Sequence, residues 1–140
     1  NAPNRTRLYQ RLQHEGRILN RFDGNNTNLS MNFIPKMDKE VLLRGYHSIL
    51  TGIYSSKAYY ERLTLFLKDF NPGANNTRRI DAGRIMALLR SLIYIGILDK
   101  SRIYYWKLLF WSLFRRPRLF PMAITYSIYG YHFQKIYGIR

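Results

Sequence analysis

The titratable side chains of this sequence offer little material for catalysis. The three histidines are His14, His47 and His132, and no two of them lie one helical turn apart, so a metal site would need ligands from separate helices. The eight acidic residues include no pair that the sequence itself brings together, and cysteine is absent. The sequence therefore supports no paired-carboxylate acid–base site, thiolate metal site or cysteine nucleophile within this chain. We interpret the histidines as surface or partly buried imidazoles.

A polar loop provides the first candidate binding site. Its amides and one hydroxyl are close enough in sequence to hydrogen-bond a single polar ligand. Asparagine and glycine are also common turn formers, so a ligand site and a plain turn both remain open. The candidate residues are Asn25, Asn26, Thr27, Asn32 and Phe33.

A group of tyrosines provides the second candidate. Tyr54, Tyr59 and Tyr60, together with Arg62, would form an aromatic lid or docking edge if they faced outward. The alternative is a core position with hydrogen-bonded hydroxyls at its rim, which is the more common place for tyrosines at helical spacing.

The segment 102–116 is apolar or aromatic on most sides and carries cations at its ends. Such a helix is either central to a bundle or partly inserted in an interface, where Tyr and Trp suit the boundary of a membrane. Nucleic acid is disfavoured, because Lys and Arg are scattered through aliphatic stripes instead of following one polar face. The candidate residues for contact with an anionic surface are Arg102, Trp106, Lys107, Trp111, Arg115 and Arg116.

Charge is the strongest compositional signal. The net charge is +15, and the aromatic content of 16% excludes a disordered composition. Residues 1–70 carry 11 basic and 6 acidic residues, a net charge of +5, whereas residues 71–140 carry 12 and 2, a net charge of +10. The more basic half also holds 13 of the 22 aromatic residues. This combination favours an anionic partner: a phospholipid surface, a nucleic acid or an acidic protein face.

The spacing of apolar residues predicts an all-α bundle of about five to six helices, with a short irregular or extended segment near residues 24–36. Thr6, Asp38 and Ser55 or Ser56 are typical helix caps, and Gly16 follows the first helix where a left-handed residue is favoured. No apolar run is long enough for a transmembrane span.

The same spacing predicts which faces enter the core. The predicted stripes are Leu42, Tyr46, Ile49, Leu50 and Ile53; Tyr59, Leu63, Phe66, Leu67 and Phe70; Ile85, Leu88, Leu89, Leu92 and Ile95; Ile103, Trp106, Phe110 and Leu113; and Ile124, Ile128 and Tyr131.

An ordered series of motifs resembles a known family. Residues 3–17, with the pattern Pro-x-x-Thr-x-Leu-Tyr-x-Arg-Leu-x-x-Glu-Gly-Arg, resemble the segment that closes the catalytic barrel of many radical S-adenosylmethionine (SAM) enzymes. The rest is similar to the helical C-terminal domain of cobalamin-binding radical SAM proteins, a region with no assigned activity. The motifs that carry this second resemblance are Gly24-Asn25-Asn26-Thr27, Asn32-Phe33-Ile34-Pro35-Lys36-Met37, Leu43-x-Gly45-Tyr46, Ile53-Tyr54-Ser55, Tyr59-Tyr60-Glu61-Arg62, Trp106, Trp111, Arg116-Pro117, Phe120-Pro121, Gly130 and His132-Phe133.

The resemblance implies a role within a larger enzyme. The parent protein would hold a [4Fe–4S] cluster, SAM and cobalamin in upstream radical SAM and cobalamin-binding domains, and in many relatives would methylate or rearrange an unreactive carbon. This chain would not be catalytic alone; it would cover the barrel, shape substrate access or dock the enzyme. We expect a cytoplasmic location, peripheral at a membrane if docking is its role. The alternative from another class is a stand-alone basic helical module that binds anionic membrane or nucleic acid.

The resemblance also implies a division of the chain. Asn1-Ala2 match the end of a Ser-Asn-Ala cloning scar, and residues 3–19 would be the tail of the upstream radical SAM domain. Residues 20–140 would be the helical C-terminal domain, with an internal boundary at 71–77, where Pro, Gly and Asn break the pattern. We therefore expect the chain to be a piece of a longer protein.

Overall fold

The computed structural model describes residues 1–20, 24, 31–73 and 82–139. Over these ranges the chain forms six α-helices, one 3-10 turn at Pro117–Leu119 and no sheet, which confirms the all-α prediction. The helices are α1 (Arg7–His14), α2 (Lys39–Tyr54), α3 (Ser56–Asp69), α4 (Ala82–Tyr94), α5 (Arg102–Arg115) and α6 (Phe120–Ile136). The chain divides into two compact units, Asn1–Ile49 and Leu50–Arg140, which are called unit 1 and unit 2 below.

Two helix starts follow the capping chemistry of the sequence, whereas Ser55 precedes α3 without a side-chain hydrogen bond to its first turn. The Thr6 hydroxyl accepts a hydrogen bond from the Tyr9 amide at 3.2 Å, and the Asp38 carboxylate accepts one from the Val41 amide at 3.0 Å. Each of these bonds satisfies a first-turn N–H that has no partner within its helix. Gly16 has a φ of 67°, as predicted for the residue that turns the chain after α1.

Unit 1 contains a short extended pairing beside α1. Ile18 and Phe33 form an antiparallel bridge, and the Ile34 amide donates to the Arg17 carbonyl at 2.8 Å. The Arg17 guanidinium donates in turn to the Ile34 carbonyl at 2.8 Å and to the Glu15 carboxylate at 2.7 Å. The hydrogen bond from Arg17 lowers the pKa of Glu15. Residues 24–36 were predicted to be irregular or extended, and the described part of them contains this single isolated bridge and no helix or strand.

The core of unit 2 is formed mainly by α3, α5 and α6, with α4 packed on α6. Large side chains such as Leu67, Tyr105 and Leu119 have almost no contact with solvent. Full burial of an aliphatic or aromatic side chain of this size stabilises a fold by roughly 1.5–3 kcal/mol. The buried hydrophobic set is Tyr60, Leu63, Leu67, Ile95, Tyr105, Leu108, Leu109, Leu119, Ala123 and Ile124.

Helices α3 and α6 approach closely where Tyr59 lies over Gly130. A methyl group on Gly130 would sit 2.3 Å from the Tyr59 ring, a distance that real carbon contacts do not reach. The Tyr59 hydroxyl donates to the Tyr126 carbonyl at 2.6 Å, one turn earlier on α6. Because Gly130 has no side chain, the Tyr59 ring fits against α6 at this point. The hydrogen bond of the Tyr59 hydroxyl then fixes the position of the ring.

Several predicted core stripes are wrong. On α5, Ile103 is 61% exposed and Phe110 52% exposed, whereas the buried face carries Tyr105, Leu108 and Leu109. The reason is that α5 is apolar almost all round, so the hydrophobic period could not select a face. The remaining stripe residues that the structure leaves exposed are Leu113 on α5, Ile85 and Leu89 on α4, Phe66 on α3, and Tyr46, Ile49 and Ile53 on α2.

Replacement of Gly130 by Ala should destabilise unit 2. The new methyl group would displace the Tyr59 ring, and overpacking of this kind typically costs about 1–3 kcal/mol. Gly52→Ala on α2 is the matched control, because no atom lies within 4 Å of its Cβ position and Ala favours a helix by up to about 1 kcal/mol. Urea unfolding of both variants measures the difference. A Gly130→Ala protein as stable as Gly52→Ala would contradict the packing described.

Candidate functional site

The structure brings the candidate tyrosines of unit 2 together at the junction of α2, α3 and α6. The ring centroids of Tyr54 and Tyr59 lie 6.2 Å apart, and those of Tyr59 and Tyr60 lie 5.7 Å apart in an edge-to-face arrangement. Tyr54 also contacts Phe133 and Tyr137 near the end of α6. The cluster is a packed aromatic corner in which the rings contact one another.

Polar groups hold this corner through backbone carbonyls. The Gln134 amide donates to the Tyr54 carbonyl at 2.8 Å, and Gln134 is buried. The Arg62 guanidinium donates to the Ile53 carbonyl. Both accepting carbonyls belong to the last turn of α2, where C=O groups have no partner within the helix. Arg62 and Gln134 thus satisfy the end of α2.

The buried tyrosine hydroxyls are paired with serines. Ser127 and Ser101 lie close enough to the Tyr60 hydroxyl to lower its pKa against the effect of burial, and the Tyr105 hydroxyl lies 2.8 Å from the Ser91 hydroxyl. Ser101 also donates to the carboxylate of the buried Asp99. These pairings connect α3, α5 and α6 in one part of the core and α4 and α5 in another. They allow polar atoms to be buried without loss of their hydrogen bonds.

Burial keeps these phenols protonated. Desolvation, followed by the charge that Tyr54 would carry nearby, raises the pKa of Tyr59 to about 12. Desolvation is also the largest cause of the raised pKa of Tyr60 and of Tyr105. At neutral pH all three hydroxyls are therefore donors or acceptors of hydrogen bonds and not phenolates. Their chemistry in this structure is the positioning of helices.

The candidate polar loop is described only at Asn32 and Phe33; Asn25, Asn26 and Thr27 lie outside the described residues. Asn32 is buried, and its side chain accepts from the Ala2 amide at 2.8 Å and donates to the Ala2 carbonyl at 2.9 Å. Its backbone amide donates to the Asn1 side chain at 3.0 Å. The Asn32 amide group therefore binds an extended piece of this chain.

The cationic candidates of α5 differ in their roles. Arg102, Lys107 and Arg115 are exposed. Arg116 donates to the carbonyls of Lys68 and Phe70 at the end of α3, where a cation is favoured by the helix dipole. Arg116 is therefore also a cap of α3. A surface cavity of about 270 Å³ lies beside it, lined by Asn71, Pro72, Arg115, Arg116, Pro117, Arg118 and Leu119.

The two tryptophans are not equivalent. The Trp106 indole donates to the Gly96 carbonyl at 2.9 Å, and its ring stacks on Phe110 with centroids 5.5 Å apart. Phe110 stacks in turn on Phe114 at 6.4 Å. Trp106 and Trp111 both pack partly against the core, at positions about 140° apart around α5. Trp106 thus begins a row of rings along the outer side of α5. Phe110 and Phe114 belong to this row but were not among the site candidates. For Phe110 the reason is that its periodicity predicted a core position.

Among the described residues, no three His, Asp or Glu side chains are grouped so that they could hold a metal ion. Within the same ranges, no helix combines the length and the apolar character that a bilayer crossing requires.

Comparison with known proteins places the chain in a family. Residues 6–139 match the family described as a domain of unknown function, DUF4070, and the chain belongs to that family. The matched region includes residues 6–19, which the sequence analysis assigned to an upstream domain. No curated protein and no solved structure matches the chain significantly.

Asn32→Asp should release the first residues of the chain. A carboxylate cannot donate to the Ala2 carbonyl and would lie close to it, so one of the two hydrogen bonds to Ala2 is lost and a repulsion replaces it. We expect faster amide exchange at Ala2 and Asn32, measured by NMR. Asn4→Asp, at an exposed position, is the control. Unchanged exchange in Asn32→Asp would show that this side chain does not hold the segment.

The stability of unit 2 should fall as the pH rises above 10. The pKa of Tyr59 is raised from 10 to about 12 by folding, so its contribution to stability is complete below pH 10 and is lost towards pH 12. Tyr59→Phe should cost about 1 kcal/mol at neutral pH, because the Tyr126 carbonyl loses its donor, and should flatten the alkaline fall. Urea unfolding against pH and near-ultraviolet absorbance of phenolate measure both effects. Tyr129→Phe, at an exposed position, is the control; an equal flattening there would contradict the assignment.

Proposed function

We propose that this chain is the helical C-terminal accessory domain of a cobalamin-dependent radical SAM enzyme, where it covers the catalytic barrel and shapes access of substrate. The observation that carries the proposal is the ordered series of motifs from Pro3 to Phe133, which resembles that domain. It is supported by the family match over residues 6–139, because a domain without an assigned activity is what the resemblance implies.

The chain's own residues set a limit on this role. Iron–sulfur clusters are held by cysteine thiolates, and the sequence contains no cysteine. The cluster, and the radical chemistry that it starts from SAM, would therefore belong to an upstream domain of the same protein. This chain would contribute surface and not reacting groups.

An exposed apolar face on α2 supports a covering role. Tyr46, Ile49 and Ile53 lie on one side of the helix, and Ile49 is 61% exposed. Glu40 and Arg44 form an ion pair at 3.5 Å on a different side, and no Lys, Arg, Asp or Glu lies between Tyr46 and Ile53 in the sequence. The resemblance puts residues 20–62 directly after the barrel. We therefore infer that the α2 face packs against the upstream domain.

The reading frame upstream of the codon for Pro3 gives the first test. We expect it to encode a Cys-x-x-x-Cys-x-x-Cys motif, the cysteine pattern that would hold the cluster. A start codon just upstream, with no cysteines, would overturn the enzyme proposal.

Hydrogen exchange gives the second test, in the protein with its upstream domains. Exchange across the α2 face should be slower there than in residues 1–140 alone, and Ile49→Asp should remove the difference, since burial of a charge without a partner is unfavourable. Leu65→Asp on α3 is the control. Equal exchange in the two proteins would exclude this face as the contact, whatever the upstream motif.

A further inference from the structure

The outer face of α5 carries a continuous apolar surface. We define it as the outer aromatic face, formed by Ile103, Trp106, Phe110, Leu113 and Phe114. At about 100° per residue these five positions occupy an arc of about 100°, on the side of the helix opposite Tyr105 and Leu108. Phe114 is 77% exposed, the most exposed large hydrophobic residue among those described. The stacking of Trp106, Phe110 and Phe114 makes the face a row of parallel rings.

Cations surround this face, and they lack partners. Arg102 flanks the arc on one side and Lys107 on the other, while Arg115 and Arg118 lie at its C-terminal end beside the cavity of about 270 Å³. None of these four side chains forms an ion pair with a described carboxylate; the three ion pairs given by the described residues, Arg11–Glu15, Arg17–Glu15 and Arg44–Glu40, all lie in unit 1. Residues 100–140 contain eight Lys or Arg and no acidic side chain. Within the described ranges these four cations therefore have no ion-pair partner.

We propose that the outer aromatic face docks on an anionic phospholipid surface, with Phe110 and Phe114 entering the boundary between headgroups and acyl chains. Aromatic and aliphatic side chains with flanking Lys and Arg are the composition of helices that lie in that boundary. Arg115 and Arg118 would contact lipid phosphates through the cavity at the end of the helix.

Charge decides against the other occupants of the face. A second copy would bring the same unpaired cations against these cations, which repel. A nucleic acid needs cations where its phosphates lie, and the centre of this face has rings and no cation. An anionic bilayer fits both the cations and the rings. Its phosphates would contact the cations at the edge of the outer aromatic face, and its acyl chains would contact the rings at the centre. The inference does not depend on the proposed enzyme role, because it uses α5 and its cations and not the α2 face.

Vesicle binding tests the proposal. Residues 1–140 should sediment with vesicles of three parts phosphatidylcholine and one part phosphatidylglycerol, and bind much more weakly to phosphatidylcholine alone. High salt should weaken vesicle binding because it screens the cations. Part of the binding should persist, because the inserted rings do not depend on charge. Phe110→Ser and Phe114→Ser should each reduce binding about tenfold, and the Arg115→Gln, Arg118→Gln double variant should remove the preference for the anionic lipid. Leu65→Ser and Lys57→Gln, at exposed positions on α3, should bind like the unchanged protein.

Tryptophan fluorescence gives an independent readout of which face is bound. In the Trp111→Phe protein, the remaining Trp106 should be quenched by brominated phospholipid on binding. In the Trp106→Phe protein, the remaining Trp111 should be quenched much less, because it lies about 140° from Trp106 around α5 and outside the outer aromatic face. All four loss-of-contact substitutions are at exposed positions, and circular dichroism verifies that these variants remain folded.

Each contrary result overturns the proposal. If residues 1–140 do not bind anionic vesicles at low salt, the proposal of lipid docking is wrong. Stronger quenching of Trp111 than of Trp106 assigns the contact to a different face. Tighter binding to a DNA duplex, abolished by Arg115→Gln but not by Phe114→Ser, assigns the cations to nucleic acid. Self-association that Phe114→Ser abolishes, without vesicle binding, assigns the face to a second copy.

Discussion

The contact between Tyr59 and Gly130 is the constraint on which the arrangement of unit 2 depends. The ring lies in the space that a side chain at residue 130 would fill, and its hydroxyl holds the Tyr126 carbonyl one turn earlier on the same helix. This contact sets the separation of α3 and α6, and α5 packs against both. The burial of Tyr60, Leu63 and Leu67 on α3 follows from the same approach, since these side chains fill the space between the three helices.

The polar groups in the core follow a single rule: each buried hydroxyl meets another polar group. Ser91 pairs with Tyr105, and Ser127 and Ser101 pair with Tyr60. Among the described residues no buried side-chain nitrogen or oxygen lacks a hydrogen-bond partner. This pairing accounts for a core that contains phenols and serines, because a buried hydroxyl without a partner would be strongly unfavourable. It also explains why tyrosines that resemble a binding site in sequence serve to position helices in the structure.

The surface differs from the core, because several large apolar side chains remain exposed there and four cations near α5 have no ion-pair partner among the described residues. The outer aromatic face of α5 and the α2 face carry side chains of a size that normally enters a core. The two faces differ in their charge: cations surround the first, whereas the sequence from Tyr46 to Ile53 in the second contains no Lys, Arg, Asp or Glu. This difference is the physical basis for proposing two kinds of contact, one with lipid and one with the body of an enzyme.

The sequence by itself determined the helices, the caps of α1 and α2 and the all-α class. Thr6, Asp38 and Gly16 act where their local chemistry predicts, because capping depends on residues within one turn of each other. The sequence also determined the excess of cations after Asp99, which no folding can change. For the candidate site, the spacing of Tyr54, Tyr59 and Tyr60 predicted that they lie close together. It left open whether they form an outward lid or belong to the core.

The predicted stripe of α3 is largely buried, but only the tertiary structure decided which sides of α2, α4 and α5 are buried. Helix α5 has apolar residues at Tyr105 and Leu108 and equally at Ile103 and Phe110, so its period is compatible with either face. The buried side is the one on which Tyr105 meets Ser91 of α4 and on which α6 packs, and both contacts involve residues outside α5. For the same reason only the fold could show that Asn32 holds Ala2 and that Arg116 caps α3, since each of these bonds joins segments that no local pattern connects.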